Sequence, residues 1–217
     1  MWVRRPVGES GPVNRWDPRS LSARTYTLVG LLGVALSALL VVVGHVDPNS
    51  GLDPLTLTVS EIALSDRGGA VDVAMVTLAL ASLALLRGAR LTGVPAALVG
   101  VWSAGLLVAA IVPTDPPGVA LGTGGQVHRY ASLIAFVCLP VAGFALARRA
   151  RDRRVWVLSV ASAACLLMML GSATLAHRQL IGLAERMVIA VEVALLVMAV
   201  LTRGRAPGGA LPAASRR

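Results

Sequence analysis

The stretch that decides the fold is YTLVGLLGVALSALLVVVG, Tyr26–Gly44, which contains no charged side chain. A helix needs about 20 mainly apolar residues, at 1.5 Å each, to cross about 30 Å of hydrocarbon. Five further stretches approach that length and are likewise apolar all round rather than on one face. The sequence therefore predicts an all-α integral membrane protein, a six-transmembrane-helix bundle within residues 25–203. The predicted helices span about residues 26–44, 71–86, 91–112, 130–147, 155–175 and 181–202.

The composition and the charge agree with this class of protein. Of the 217 residues, 56% are hydrophobic and 14% are charged, and all 20 basic residues are arginine. Sixteen arginines fall in residues 1–24, in the loops after the second and fourth predicted helices, and in the tail from Arg203; four fall elsewhere. The positive-inside rule then predicts a plasma-membrane protein with both termini cytoplasmic. A basic charge of +9 that alternates by loop is not typical of a nucleic-acid-binding surface, so no nucleic-acid partner is predicted.

The two ends of the chain lack apolar periodicity. Residues 1–24, with three prolines and five arginines, predict a flexible cytoplasmic arm, and residues 204–217 predict a disordered cytoplasmic tail. Arginine beside a bilayer attracts anionic lipid, so membrane lipids are the expected partners. The sequence leaves open a homo-oligomer or another membrane partner.

The loop between the first two predicted helices, His45–Gly69, is acidic and opens with two Asp-Pro turns. Alternating apolar residues over 55–59 favour a short strand, whereas Ser60–Ser65 favours a helical turn lying on the bilayer surface. Both interpretations stay open. Glu61 in this loop is a candidate ligand-binding residue.

The second long loop, Ile111–Tyr130, turns through three prolines, runs over four glycines and enters the next helix at His128. Asp115 and His128 are able to titrate or to ligate. The Asp115 carboxylate either holds the turn by accepting backbone amides or faces a ligand, because binding sites are commonly built on loops. Both residues are candidate ligand-binding residues.

Glu192 lies near the middle of the sixth predicted helix. A charged side chain at bilayer depth costs about 2.5 to 3.5 kcal/mol on insertion scales and marks a candidate site. The other interpretation is a protonated glutamic acid that hydrogen-bonds to a serine or threonine of another helix and fixes the bundle. Glu185 lies seven positions earlier, on nearly the same helix face.

Metal and catalytic motifs are not found in this sequence. Three histidines, His45, His128 and His177, fall at the predicted outer ends of helices, where with Glu61 and Asp115 they offer the ligand types that zinc prefers. There is no HExxH, paired CxxC, GxSxG or P-loop spacing, so neither a metal, a cofactor nor a catalytic residue is predicted. The two cysteines are expected to be reduced hydrophobic side chains.

Three segments carry a resemblance to a known family. They are SEIALSDRGG at Ser60–Gly69, VPTDPPG at Val112–Gly118 and GGQVHRYASLIAFVCLP at Gly124–Pro140. Together they resemble the bacterial membrane-protein family called domain of unknown function (DUF) 998, over about residues 25–203. The most specific part is the order Pro113, Asp115, Gly118 and His128, although Val112 stands where members often have an aromatic residue. The resemblance implies a six-helix inner-membrane protein without an established activity.

The functional expectation is a protein that binds or moves a small ligand or lipid through an outer-face pocket. Glu61, Asp115 and His128 are expected at the mouth of the pocket, with Glu192 below. One alternative is an enzyme that acts on a lipid or envelope substrate, with His128 as acid or base. The other is an accessory subunit or sensor without a site of its own. Convergence of the three side chains at the mouth would favour a ligand or catalytic site.

Overall fold

A computed structural model describes residues 18–45, 53–65 and 67–203, with side chains from residue 22. The predicted tail and residues 1–17 of the predicted arm lie outside the described residues. The described chain is all-helical and contains no strand. Its helices are α1 Pro18–His45, α2 Val59–Ser65, α3 Ala70–Gly88, α4 Val94–Ile111, α5 Thr123–Ala150, α6 Arg153–Thr174 and α7 Ile181–Arg203.

Two helices, α1 and α5, begin well before their predicted starts. Helix α1 begins at Pro18, inside the predicted arm, where proline suits the first turn because its missing N–H would have no partner there. Helix α5 begins at Thr123, seven positions before the predicted start. Glycines at 124 and 125 argue against a helix by propensity alone, but tertiary contacts override this preference.

Helix α2 resolves the open interpretation of the first loop in favour of the helical turn. Thr58 precedes it and Glu61 is its third residue, which is the capping-box spacing. The Thr58 hydroxyl accepts the Glu61 N–H at 3.1 Å, and the Glu61 carboxylate accepts the Thr58 N–H at 2.9 Å. These reciprocal bonds stabilise a helix too short to persist alone.

Five helices, α1, α3, α4, α5 and α6, are long and apolar enough to cross a membrane. The chain is therefore a multi-pass membrane protein. Helix α7 has 23 residues but also carries Glu185, Arg186 and Glu192.

The helices pack in chain order, α1 on α3, α3 on α4, and so on to α6 on α7, while α7 also contacts α5 and α3. Small residues permit the close approaches. A Cβ at Gly33 would lie 2.7 Å from Ala81 Cβ, and one at Gly105 would lie 2.8 Å from the Ala131 carbonyl. Helix α7 thus closes the bundle and carries much of its core.

The bundle has two chemically different ends. At one end, Arg87 of α3 lies over the Tyr26 ring of α1, and the Arg149 guanidinium of α5 lies above Gly93 of the α3–α4 turn. We call this the arginine end. At the other end lie residues 53–65, whose helix α2 contacts α1, α3 and α7; we call these residues the lid segment.

Candidate functional site

The lid segment is attached to the first turn of α7 through its backbone. The Leu55 carbonyl accepts the N–H groups of Gly182 and Leu183, at 3.0 and 3.3 Å. These amides lack helical partners at a helix N-terminus, so a distant carbonyl caps them. The lid segment can lie this close to α7 because residue 182 is glycine. A Cβ at this position would lie 2.2 Å from the Leu57 carbonyl oxygen.

Arg186 reinforces this attachment one turn further along α7. Its Nη1 donates to the carbonyls of Pro54, Leu57 and Gly182 at 2.7 to 2.9 Å. Its Nη2 donates to His45 Nε2 at 2.7 Å, while His45 Nδ1 donates to the Val41 carbonyl at 2.6 Å. Because a guanidinium only donates and a carbonyl only accepts, these bonds fix the His45 tautomer.

Two carboxylates hold α2 itself. Glu185 of α7 accepts the backbone N–H of Val59, the first residue of α2. Glu61 pairs with Arg178 of the α6–α7 turn at 2.5 Å, and its side chain is 7% exposed against 46% for the arginine. Arg178 has a left-handed φ of 66°, which is uncommon for a residue other than glycine. Both charges therefore belong to the attachment of the lid segment.

The lid segment begins at a turn held by Asp53. The Asp53 carboxylate accepts the Leu55 N–H at 3.0 Å and the Thr56 hydroxyl at 2.8 Å. These two hydrogen bonds, the backbone one first, hold the pKa of Asp53 below its ordinary value. The carboxylate therefore stabilises the turn above the unfolded pKa, and this contribution is lost as the pH falls through the folded pKa.

A cavity lies directly beneath the lid segment. Its volume is about 50 Å³, measured as the space that the centre of a water molecule can occupy. Side chains of α1, α2, α3, α4, α5 and α7 line it, and most of them are apolar. Its polar lining residues are Ser37, Ser60, Ser132 and Glu185.

The three serine hydroxyls of the lining differ in their hydrogen bonding. Ser37 donates to the Ala74 carbonyl at 2.8 Å. Ser60 and Ser132, in contrast, have no hydrogen-bond partner within the described residues. Because both serines line the cavity, their hydroxyl groups are available to a ligand that enters it.

The predicted residues of the second long loop hold that loop in place. Asp115 accepts the Gly122 N–H at 2.8 Å, just before α5, and a Cβ at Gly125 would lie 2.0 Å from Asp115 Oδ2. His128 is buried, and its Nδ1 donates to the Val112 carbonyl after α4 at 2.7 Å. Asp115 therefore holds the loop to the start of α5, and His128 of α5 holds the end of α4.

Glu192 lies in the core and does not line the cavity. It is 1% exposed, and its Oε2 accepts the Trp102 indole N–H of α4 at 2.9 Å. Its Oε1 accepts the Ser162 hydroxyl of α6 at 3.4 Å. Three helices meet at this one carboxyl group, which agrees with the interpretation that it fixes the bundle.

Glu61, Asp115 and His128 share no hydrogen bond or ion pair within the described chain; each has its own partners. The residues that organise the site, Glu185 and Arg186, stood in the sequence as adjacent charges within an apolar helix. That signal marked them as unusual, but it did not identify the backbone groups that they bind.

The histidines do not come together in the described part of the chain. His45 and His128 are engaged as described, and His177 is exposed on the α6–α7 turn with φ 47°. Across residues 18–45, 53–65 and 67–203, no group of three His, Cys, Asp or Glu side chains is placed to hold a metal ion.

These features define a helical, multi-pass membrane protein with a cavity beneath a tethered lid segment. The model of one family, protein of unknown function DUF998, matches residues 31–202. The chain belongs to the DUF998 family, as the resemblance of its loop segments predicted. No curated protein and no solved structure matches the chain.

Proposed function

We propose that this protein crosses the bacterial plasma membrane six times, with both termini cytoplasmic, and binds a small neutral amphiphile beneath the lid segment. The observation that carries the proposal is the cavity beneath the lid segment, where two lining hydroxyls have no hydrogen-bond partner among the described residues.

The sixth crossing is α7. At 1.5 Å per residue its 23 residues extend about 34 Å, enough for the hydrocarbon layer. Its carboxyl groups have internal partners, Val59 for Glu185 and Trp102 with Ser162 for Glu192, so little polar surface is left facing lipid. Six crossings give both termini the same side, and the distribution of arginine assigns that side to the cytoplasm.

The lining of the cavity supports a particular kind of ligand. None of the described residues that line it is basic, so a phosphate or carboxylate would find no counter-charge there. The cavity is small, and its lining is mostly apolar with four polar residues. A short apolar segment ending in a hydroxyl or an ester fits these limits better than a whole lipid.

The contacts of Glu192 favour binding over passage. A transport path would need polar groups continuing from the cavity towards the arginine end. Glu192, the predicted intermediate group, is instead bonded to Trp102 and Ser162 and does not line the cavity. The enzyme alternative lacks a converging pair, because Asp115 and His128 have separate partners.

The test is photocrosslinking with a diazirine-bearing alkyl alcohol in detergent micelles. We expect label on peptides of α5 and α7 that line the cavity, and an unlabelled alcohol should compete. Ala109→Leu should reduce the labelling because the added volume enters the cavity. Ala104→Leu is the matched control, since Ala104 is exposed on the same helix. Equal labelling of both variants and the wild type would contradict the proposal.

A second candidate is an accessory subunit without a ligand. It is favoured by one observation: Glu61, Asp115, His128 and Glu192 all hold parts of this chain together. Absence of competed labelling, together with co-purification of a stoichiometric membrane partner, would support this candidate.

A further inference from the structure

The turn between α5 and α6 carries an unusual density of positive charge. Arginine occupies positions 148, 149, 151, 153 and 154, and all five side chains are exposed. The acidic residue among them, Asp152, caps α6 by accepting the N–H groups of Arg154 and Val155, at 2.8 and 3.2 Å. This carboxylate is therefore engaged with the backbone.

Arginines at the two ends of the bundle are used differently. At the lid end, Arg67 pairs with Asp72 at 3.1 Å, Arg178 pairs with Glu61, and Arg186 binds carbonyls. At the α5–α6 turn, the five guanidinium groups make no hydrogen bond or ion pair within the described residues. Contacts within the described residues thus account for the arginines at the lid end, and the same residues provide no ion pair for the five arginines of the α5–α6 turn.

The neighbouring α3–α4 turn extends this charged region. The Arg149 guanidinium nitrogens lie 3.7 and 3.8 Å from the Cβ position of Gly93, so the two turns are adjacent. Arg87, at the end of α3, lies with its guanidinium carbon 5.8 Å from the centre of the Tyr26 ring. We call Arg87 together with the five arginines of the α5–α6 turn the arginine surface.

The arginine surface lies where a membrane boundary is expected. Immediately after it, Trp156 and Val157 are 50% and 49% exposed on α6, and tryptophan is enriched at such boundaries. Like charges at this density repel one another unless counter-ions are present. Guanidinium groups bind phosphate oxygens in a bidentate manner.

We propose that the arginine surface binds the phosphate groups of anionic phospholipids in the leaflet at the arginine end of the bundle. The site is separate from the cavity beneath the lid segment. It takes an anionic ligand, whereas none of the described residues that line the cavity is basic. The phosphate groups would reduce the repulsion among the arginines and hold the two turns at the bilayer surface.

The experiment uses Trp156 as the reporter of bound lipid. The full chain with Trp2→Phe and Trp16→Phe is placed in nanodiscs, which leaves exposed Trp156 and buried Trp102. Brominated phosphatidylglycerol or brominated phosphatidylcholine, which quench tryptophan on contact, is added to unlabelled phosphatidylcholine at matched mole fractions. We expect stronger quenching by phosphatidylglycerol.

Variants that remove or keep the positive charge then test whether the arginine surface causes the preference for phosphatidylglycerol. Arg151→Gln/Arg153→Gln/Arg154→Gln should lower the preference for phosphatidylglycerol by up to about a hundredfold, from the loss of three surface charges. Arg151→Lys/Arg153→Lys/Arg154→Lys should keep most of the preference, because the positive charges are retained. Arg129→Gln, at the lid end, should leave it unchanged.

Two outcomes would overturn the proposal. One is equal quenching by the two lipids, or a preference that survives the triple Gln substitution. The other is loss of the preference on addition of excess inorganic phosphate at constant ionic strength, which would assign the surface to a soluble anion.

Discussion

Glu185 of α7 accepts the backbone N–H of Val59, so a carboxylate of α7 caps the first turn of α2 in the lid segment. The two residues are 126 positions apart in the chain. A carboxylate at a helix N-terminus satisfies an amide that has no helical partner and interacts favourably with the helix dipole. This contact joins the lid segment to the core, and it also places the carboxylate at the wall of the cavity.

Removal of this carboxylate should release the lid segment. We expect Glu185→Ala to cost about 1 to 3 kcal/mol, because the buried Val59 amide loses its partner. Hydrogen exchange in residues 53–65 should accelerate, while exchange in α6 should not change. Glu185→Gln keeps an acceptor oxygen and should show a smaller effect. Faster exchange throughout the chain would indicate general unfolding rather than release of the lid segment.

Gly182 should not tolerate a side chain. In Gly182→Ala the new Cβ would meet the carbonyl oxygens of Leu57 and Pro54 at 2.2 and 2.6 Å, so backbone must shift. We expect a loss of about 1 to 3 kcal/mol, measured by thermal unfolding in detergent. Gly171→Ala is the control, since a Cβ at that helical position has no heavy atom within 4 Å. Equal melting temperatures of the two variants would contradict the close contact between Gly182 and the lid segment.

The contact between Asp115 and Gly125 should appear as non-additivity. Gly125→Ala places a Cβ 2.0 Å from the Asp115 carboxylate and should destabilise the protein by about 1 to 3 kcal/mol. In the Asp115→Ala background the added cost of Gly125→Ala should be much smaller, because the obstructing carboxylate is gone. Gly100→Ala, which meets nothing within 4 Å, should be neutral or stabilising by up to about 1 kcal/mol. Simple additivity at 115 and 125 would contradict the contact.

Trp102 and Glu192 should be energetically coupled. Their hydrogen bond is 2.9 Å long, and both side chains are 1% exposed. A cycle of Trp102→Phe, Glu192→Gln and the double variant should give a coupling energy of about 0.5 to 3 kcal/mol. The measurement is unfolding of purified protein in a single detergent. Labelling of the cavity by the alcohol probe should persist in these variants, because neither residue lines it.

The class of the protein and the approximate course of its long helices followed from the sequence alone. Apolar length is a local property, and hydrocarbon imposes the same helical hydrogen bonding on every crossing segment. The helical start at Thr123 could not be predicted, because the contacts between Asp115 and residues 122–125 outweigh the low propensity of two glycines.

The site depended on tertiary structure. Glu61, Asp115, His128 and Glu192 were identifiable as costly or polar side chains, yet each binds groups that only the packing of the helices brings to it. Glu185 and Arg186 organise the lid segment through backbone groups of residues 54, 57 and 59, and backbone groups carry no signal in a sequence. The sequence by itself therefore determined a membrane bundle with one arginine-rich end. The tertiary structure decided which charge holds which loop and where a cavity remains, because hydrogen bonds between distant segments depend on helix packing rather than on local composition.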